Sequence, residues 1–260
     1  MGTFLESVVE RTVEDLEARK LKVPARALEE RLGPERRGRP FSEALVDEGI
    51  ALIAEMKRAS PSRGPIRPGA SVTDVVRAYE AAGASACSVL TEGPHFGGSL
   101  DDLVEARAAC SLPLLRKDFV VDPYQLLEAR VAGADAVLLI VAALGEERLA
   151  ELMAAAAELD MDCLVEVHDE EEIETAIDVG CELLGINNRD LHSLEVDPRT
   201  VFRLLPDVPA GTVVVAESGI TSREDVLELQ AAGVDAILVG EALMRAGDPG
   251  DAARALLGTR

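Results

Sequence analysis

The chain has 260 residues, 48% of them apolar, which is enough for a large core within a single domain. Asp and Glu number 48 against 26 Lys and Arg, so the formal net charge is −22. Nucleic acids and anionic membranes both favour basic surfaces, and this balance argues against either as a partner. The sequence shows neither a signal peptide nor a membrane span, and we expect a cytoplasmic protein.

Residues 1–48 precede the first strongly apolar run and predict an N-terminal helical extension. Charged and apolar residues alternate at helical spacing in MGTFLESVVERTVEDLEARK, and we expect helices around residues 3–20 and 40–48. The segment RLGPERRGRP between them is expected to be an exposed connection. The extension could cap one end of the domain or lie over the substrate, and the sequence leaves both open.

Eight short apolar runs follow, each bounded by turn residues. Runs of this length are typical of strands in a parallel sheet that is buried on both faces. The runs are ALIAEMK (51–57), SACSVLT (85–91), LPLLRKDF (112–119), DAVLLIV (135–141), DCLVEVH (162–168), LLGINNR (183–189), TVVVAES (212–218) and DAILVG (235–240).

Helix patterns separate these runs. SVTDVVRAYEAAG, DPYQLLEARVAG, DEEEIETAIDVG and SREDVLELQAAG each begin with Ser or Asp, which favour a helix start, and end in Gly, which favours a stop. Eight strand-helix units in 260 residues favour a closed (β/α)8 barrel, the TIM barrel of the α/β class, over an open doubly wound sheet. No Gly-x-Gly-x-x-Gly fingerprint follows a strand. We expect one barrel domain, with its core in residues 49–260.

Polar residues collect at the ends of the predicted strands, where barrels of this kind place their active sites. Members of a pair spaced by two residues point to the same side of a strand, so a polar ligand is expected at one mouth of the barrel. Ion pairs that merely close the barrel remain an alternative. The strand-end residues are Glu55 and Lys57, Lys117 and Phe119, Glu166 and His168, Asn187 and Arg189, and Glu217 and Ser218.

Two lysines stand out among these residues. Only four of the 26 basic residues are lysines, so Lys57 and Lys117 indicate positions that need a compact, titratable ammonium. The last two strands run into AESGI and LVGEALMRA, where small residues around Gly219 and Gly240 allow backbone N–H groups to approach an anion. A short helix beginning near Glu241 would direct its positive end at the same place, and a phosphorylated small molecule is implied. These glycines could also serve only to relieve crowding at turns.

Taken in order, these motifs resemble the indole-3-glycerol phosphate synthase family over roughly residues 40–247. The resemblance implies a lyase that forms indole-3-glycerol phosphate from 1-(2-carboxyphenylamino)-1-deoxyribulose 5-phosphate, with loss of carbon dioxide and water and without cofactor or metal. The matching segments are IAEMKRASPSRG, LTEGPHFGGS, LLRKDFVVDPYQ, LVEVHDEEE, LGINNRDL, VAESGI and LVGEALM.

The resemblance also implies roles for individual residues. Ring closure needs an acid, for which Lys117 matches the family position, and a pKa lowered by a neighbouring cation would let it act near neutrality. Dehydration needs a second acid and a base, and Lys57, Glu55 and Glu166 match those positions with their roles undivided.

Substrate-binding roles follow from the same matches. Arg189 is expected to hold the benzoate carboxylate, and apolar residues are expected to flank the anthranilate ring. Glu241 stands where some relatives have Ser, so its carboxylate should avoid the phosphate while its backbone N–H donates. The substrate-binding set is Ser60, Pro61, Phe96, Phe119, Asn187, Arg189 and Glu217, and the phosphate-binding set is Ser218, Gly219, Gly240 and Glu241.

Other functions fit the fold less well. Phosphoribosylanthranilate isomerase and the tryptophan synthase α subunit lack the two strand-end lysines, and an aldolase using Lys117 as a Schiff base remains a chemical alternative. A metal-dependent hydrolase is disfavoured because His95, His168 and His192 are widely separated. A non-catalytic barrel that binds a sugar phosphate, or an acidic scaffold, would not need both lysines. The oligomeric state is open, and we favour a monomer.

Overall fold

Eight parallel strands close into a barrel in the computed structural model, which describes residues 3–32, 38–46 and 49–259. Each strand pairs with its neighbours in chain order, and the last pairs with the first. All eight predicted runs are strands, and the predicted (β/α)8 barrel is confirmed. The strands are β1 (Ala51–Met56), β2 (Ala86–Leu90), β3 (Leu114–Lys117), β4 (Ala136–Ile140), β5 (Asp162–Val167), β6 (Leu183–Asn187), β7 (Val213–Glu217) and β8 (Ala236–Val239).

Helices connect the strands and surround the barrel. A two-residue antiparallel pair, Ala59–Ser60 with Gly64–Pro65, stiffens the loop after β1. Single 3₁₀ turns occur at Glu43–Leu45 and Leu205–Asp207. The α-helices are α1 (Phe4–Lys22), α2 (Ala25–Glu29), α3 (Val72–Ala82), α4 (Leu100–Ala109), α5 (Pro123–Ala132), α6 (Val141–Glu158), α7 (Glu170–Asp178), α8 (Thr200–Leu204), α9 (Arg223–Ala232), α10 (Glu241–Arg245) and α11 (Pro249–Leu257).

The predicted capping residues are found at the beginnings and ends of the connecting helices. Side chains of Ser71 and Asp122 accept backbone N–H groups in the first turns of α3 and α5, and Asp169 and Ser222 do the same for α7 and α9. Caps of this kind satisfy N–H groups that the helix itself leaves unpaired. Gly133 ends α5 with φ of 101°, a left-handed conformation that glycine adopts without steric cost.

Side chains alternate between two buried layers along every strand. Outward residues such as Leu52 and Val137 pack against the helices, while inward residues such as Ile53, Leu164 and Val215 fill the barrel. The inward positions of β1, β3, β5, β6 and β7 become polar at the C-terminal end of the strand, whereas those of β4 remain apolar as far as Ile140. Because side chains alternate along a strand, these polar side chains point into the barrel, directly above the apolar residues that fill its interior.

The N-terminal extension contacts both ends of the barrel. Helix α1 was predicted and is confirmed; its residues Leu5 and Val8 join the interior cluster near Phe119 at the C-terminal end. At the other end, Phe41 and Leu45 are fully buried in the same cluster. The extension thus covers the C-terminal end of the barrel with α1 and closes the N-terminal end with the segment around Phe41.

The predicted second helix over residues 40–48 is wrong within the described residues, which contain only the 3₁₀ turn Glu43–Leu45. Backbone N–H groups of Phe41 and Ser42 donate to the Asp162 carboxylate at 3.0 and 2.8 Å, so this segment is fixed by the barrel rather than by helical bonds. Tertiary contacts override local propensity here. Residues 47–48 of the predicted helix and 33–37 of the predicted connection lie outside the described residues, and the short helix α2 was not predicted.

Among the described residues, none of the helices combines the length and the apolar character that crossing a bilayer requires.

Phe41, which fills the N-terminal end of the barrel interior, should contribute strongly to stability. Replacing Phe41, which is 0% exposed, with Ala should lower the free energy of unfolding by about 3 to 5 kcal/mol, because a cavity remains in the barrel. Urea denaturation followed by circular dichroism measures this. The control is Leu21→Ala, since Leu21 is 86% exposed and its loss should change stability by about 0.5 kcal/mol or less. Equal effects of the two changes would contradict the claim that Phe41 stabilises the protein by filling the end of the barrel.

Candidate active site

A cavity of about 490 Å³ opens at the C-terminal ends of the strands. All of the predicted site residues line it, so the structure brings the whole predicted set together. The lining also includes residues that the sequence did not single out. The predicted residues found there are Glu55, Lys57, Ser60, Pro61, Phe96, Lys117, Phe119, Glu166, Asn187, Arg189, Glu217, Ser218, Gly219, Gly240 and Glu241.

Lys117 occupies the centre of the polar half of the cavity. Its Nζ donates to Oε2 of Glu166 at 2.7 Å and to Oε2 of Glu217 at 2.8 Å. Both carboxylates are almost completely buried, and they come from β5 and β7, which lie two and four strands away from β3 around the barrel. One ammonium therefore bridges two strands that are distant in sequence.

The pKa of Lys117 is raised, and the prediction of a lowered pKa is wrong for this state of the protein. Burial by itself would lower it, but the nearby carboxylates of Glu166, Glu217 and Glu55 outweigh burial. Within the described residues, no cation is among the groups that act most strongly on this pKa. Lys117 is consequently an ammonium at neutral pH.

The two carboxylates that share this ammonium differ from each other. Burial raises the pKa of Glu217 to about 7, with Lys117 opposing the shift and Glu166 adding to it. Glu166 is buried as well, yet Lys117 and His168 hold its pKa below the ordinary range. At neutral pH Glu166 is ionised, while Glu217 exchanges its proton readily, and the pair titrates as a unit.

A second ion pair lies at the end of β1. Lys57 Nζ is 2.8 Å from Oε1 of Glu55, and both side chains are mostly buried. Glu55 lies close against Gly240, because a Cβ added at Gly240 would collide with Oε1 of Glu55. The end of β8 thus needs a glycine to make room for this carboxylate.

His168 lies behind Glu166 and does not line the cavity. Its Nδ1 is 2.9 Å from Oε2 of Glu172 on α7, and its Nε2 is 3.4 Å from Oε1 of Glu166. Burial would lower the pKa of His168, but these two carboxylates raise it to about 10. The sequence placed His168 at a strand end without indicating a role for it.

The other half of the cavity is apolar. The rings of Phe96 and Phe119 lie 6.5 Å apart, tilted by 43°. Phe4 of α1, Leu138 and Leu191 complete this wall, and sequence reasoning missed all three. Nothing in their local pattern distinguishes them from core residues, since only the docking of α1 and the closure of the barrel bring them to the cavity.

Arg189 is held at the cavity rim by its own loop and by Ser62 of the loop after β1. Its backbone N–H donates to Oδ1 of Asn187 at 3.0 Å, and its guanidinium donates to the carbonyl of Leu194 at 2.9 Å and to the Ser62 hydroxyl at 3.3 Å. Burial lowers the pKa of Arg189, which nevertheless stays charged. Ser60 is also buried, and its hydroxyl has no hydrogen-bond partner among the described residues.

The ends of β7 and β8 expose backbone to the cavity. Ser218 and Gly219 have φ of 65° and 80°, and a Cβ added at Gly219 would come within 2.9 Å of Val196 Cγ1. Helix α10 begins directly after Gly240, as predicted, and its first N–H groups have no acceptor within the helix.

The Glu241 carboxylate forms ion pairs with two arginines. Its Oε1 lies 3.4 Å from Nε of both Arg63 and Arg245. This arrangement agrees with the expectation that the carboxylate avoids an anion at the start of α10. The sequence did not single out either arginine, although Arg63 belongs to the SPSRG motif.

Fold and cavity together define an α/β-barrel enzyme with buried acid-base groups at the mouth of its barrel. Comparison with known proteins narrows the class. A family model described as indole-3-glycerol phosphate synthase matches residues 5–256. The chain belongs to the indole-3-glycerol phosphate synthase family, whose members are decarboxylating lyases of tryptophan biosynthesis.

Three similar proteins carry that name. Indole-3-glycerol phosphate synthase 2 of Streptomyces coelicolor is 53% identical over 220 residues, covering 85% of each chain. The Dehalococcoides mccartyi protein is 48% identical over 259 residues, covering 98% of this chain and 100% of its own. The Mycobacteroides abscessus protein is 46% identical over 248 residues, covering 95% and 91%.

Solved structures of other enzymes share the fold. A tryptophan synthase α-subunit mutant from Pyrococcus furiosus superposes with a TM-score of 0.62 at 18% identity, covering 80% of this chain and 98% of that one. Thiamine phosphate pyrophosphorylase from Pyrococcus furiosus gives a TM-score of 0.60 at 21% identity, with coverage of 80% and 94%. At such identities the likeness concerns the barrel alone.

The raised pKa of Glu217 predicts a pH-dependent contribution to stability. The folded protein retains a proton on Glu217 up to about pH 7, whereas the unfolded chain releases it near the ordinary glutamate pKa of 4.5. This contribution is therefore present below pH 4.5 and is lost as the pH rises through 7. Between pH 5 and 8, Glu217→Gln should gain about 2 kcal/mol of unfolding free energy relative to the wild type.

Urea denaturation at several pH values measures this difference. Glu224→Gln serves as the control because Glu224 is exposed, and its curve should run parallel to that of the wild type. A Glu217→Gln curve that also runs parallel would show that the folded protein does not raise the pKa of Glu217.

Proposed function

We propose that the buried triad of Lys117, Glu166 and Glu217 carries the acid-base steps that form indole-3-glycerol phosphate from 1-(2-carboxyphenylamino)-1-deoxyribulose 5-phosphate. The observation that carries this assignment is the position of the Lys117 ammonium, within 2.8 Å of both carboxylates at the cavity floor. Lys57 and Glu55 form the second acid-base pair. The remaining lining residues bind and orient the substrate.

Lys117 is the acid of ring closure. The anilide ring carbon attacks the ketone carbon, and the ketone oxygen develops alkoxide character as the carbon–carbon bond forms. An alkoxide is more basic than an amine, so an ammonium donates its proton to it even when neighbouring carboxylates strengthen the hold on that proton. The raised pKa ensures that Lys117 carries the proton before the reaction begins.

The second half of the reaction uses the groups that flank this centre. The carboxylate leaves as carbon dioxide, and the hydroxyl formed by ring closure leaves as water after it receives a proton. Lys57, 2.8 Å from Glu55, supplies that proton, and a carboxylate removes a proton from the new five-membered ring, which makes that ring aromatic. Glu55 and Glu166 both line the cavity as candidates for this base.

The substrate extends across the cavity between two anion sites. Its benzoate carboxylate is held by Arg189, which Asn187 orients, and its aromatic ring lies against Phe96 and Phe119. Ser60 and Pro61, in the loop after β1, line the pocket between the two ends.

The phosphate lies at the other end of the cavity. Backbone N–H groups of Gly219, Gly240 and Glu241 and the Ser218 hydroxyl bind it, because small residues there leave the backbone accessible. Glu241 does not repel the anion, since its carboxylate is paired with arginines.

We further propose that the chain acts as a single-domain monomer in the cytoplasm, without metal or cofactor. The interior cluster includes Leu5 and Phe41 of the extension together with barrel residues, which supports a single unit. The acid-base groups of the cavity can supply each proton transfer in the reaction.

Removing the central acid should abolish most of the activity. Lys117→Ala should lower kcat by about two to four orders of magnitude, the usual scale for losing a general acid. Indole fluorescence of the product reports turnover against a low background, because the chain contains no Trp. Lys22→Ala, at an exposed lysine of α1, is the control. Near-wild-type turnover by a folded Lys117→Ala variant would contradict the assignment, and no turnover by the wild type would contradict the function.

The two anion sites can be separated by substitution. Arg189→Ala should raise KM about 10- to 100-fold, because a charged hydrogen bond to the benzoate carboxylate is lost. Competitive inhibition by inorganic phosphate should be unchanged, since that ion binds at the other end. Arg26→Ala is the control at an exposed arginine. Weaker phosphate inhibition in Arg189→Ala would instead place Arg189 at the phosphate.

A further inference from the structure

His168 occupies a buried position next to the acid-base centre but outside the cavity lining. Its ring is fixed from one side, because Oε2 of Glu172 lies 2.9 Å from Nδ1 and also accepts the backbone N–H of His168 at 2.8 Å. Only Nε2 is then left to face the active site. It lies 3.4 Å from Oε1 of Glu166 and has no hydrogen-bond partner among the described residues.

Charges alternate along this part of the site. Five charged side chains form a row in which each group contacts the next, beginning on α7 and ending inside the barrel. In order, they are Glu172, His168, Glu166, Lys117 and Glu217. The charged groups against the imidazole are the two carboxylates from α7 and β5, and the ammonium from β3 lies beyond the second of them. A protonated imidazole completes the alternation, whereas a neutral one would leave two carboxylates facing each other across it.

The row gives Glu166 two cationic neighbours, one at each oxygen. Oε2 contacts Lys117 at 2.7 Å and Oε1 faces His168. When Lys117 gives its proton to the substrate, Glu166 loses one of these two cations. A carboxylate buried in such surroundings would then take up a proton unless the second cation remained.

We infer that His168, held by Glu172, is a positioning residue that fixes the Glu166 carboxylate and keeps it ionised while Lys117 is deprotonated. The inference rests on the proposed function of the Lys117 centre. His168 itself does not touch the substrate. Its effect on the reaction is exerted through the charge and orientation of Glu166.

Substitution of His168 should shift the pH dependence of activity. In His168→Gln the imidazolium charge is absent, so the Glu166 and Glu217 pair should bind protons more readily. The acid limb of kcat/KM should move up by about one pH unit, which lowers kcat/KM about tenfold at pH values on that limb. The effect should be smaller on the plateau, and KM should change little because no substrate contact is lost.

A second variant tests the same row without removing the imidazole. Glu172→Gln keeps an acceptor for Nδ1 but removes the charge, so it should shift the acid limb in the same direction by a smaller amount. Glu174→Gln is the matched control, because Glu174 is exposed on the same helix. His192→Asn is the control for histidine, since His192 is also exposed. Neither control should move the profile.

NMR titration tests the inference independently of turnover. The chain has only three histidines, and His168→Gln identifies the signal of His168 by its loss. That imidazole should remain protonated at pH 8 in the wild type. A neutral imidazole at pH 8, or a pH profile unchanged in both folded variants, would overturn the inference. Absence of turnover in the wild type would instead contradict the proposed function, and the two failures are therefore distinguishable.

Discussion

The site depends on one electrostatic constraint, the burial of the Lys117 ammonium inside the barrel above its apolar interior. A charge moved from water into such surroundings loses several kcal/mol of solvation unless partners compensate it. Glu166 and Glu217 do so at 2.7 and 2.8 Å, but two carboxylates overcompensate one cation. The excess negative charge is balanced by a proton shared with Glu217 and by His168. The protonation state of each group is therefore a property of the cluster.

Room for this cluster is made by two glycines inside the barrel. A Cβ at Gly185 would collide with Oε1 of Glu217, and one at Gly240 would collide with Oε1 of Glu55. Gly185 lies in the middle of β6 and Gly240 directly follows β8, and each faces a carboxylate that comes from the neighbouring strand. Close approach, rather than an unusual backbone conformation, requires glycine at these two places.

Much of this arrangement could be predicted from the sequence because strands alternate strictly. Glu55 and Lys57, two residues apart at the end of an apolar run, had to share a side, and closure of the barrel brought the other strand ends to the same mouth. The raised pKa of Lys117 could not be predicted, since its partners lie 49 and 100 residues away along the chain and the shift depends on their distances. The positions of Phe4 in the cavity wall and of Phe41 at the N-terminal end of the barrel could not be predicted either, because they depend on how the extension packs against the barrel.

The same cluster explains how a strongly held proton can serve as an acid. When Lys117 protonates the developing alkoxide, the carboxylates beside it lose their common cation, which would be costly for two ionised groups in a buried site. Glu217, with a pKa of about 7, already carries a proton in part of the molecules near neutral pH, and in those molecules only Glu166 is then left charged without its Lys117 partner. The energetic cost of deprotonating Lys117 is thereby divided over three groups. The acidity that Lys117 offers to the substrate is therefore a property of the three coupled groups and cannot be assigned to the lysine alone.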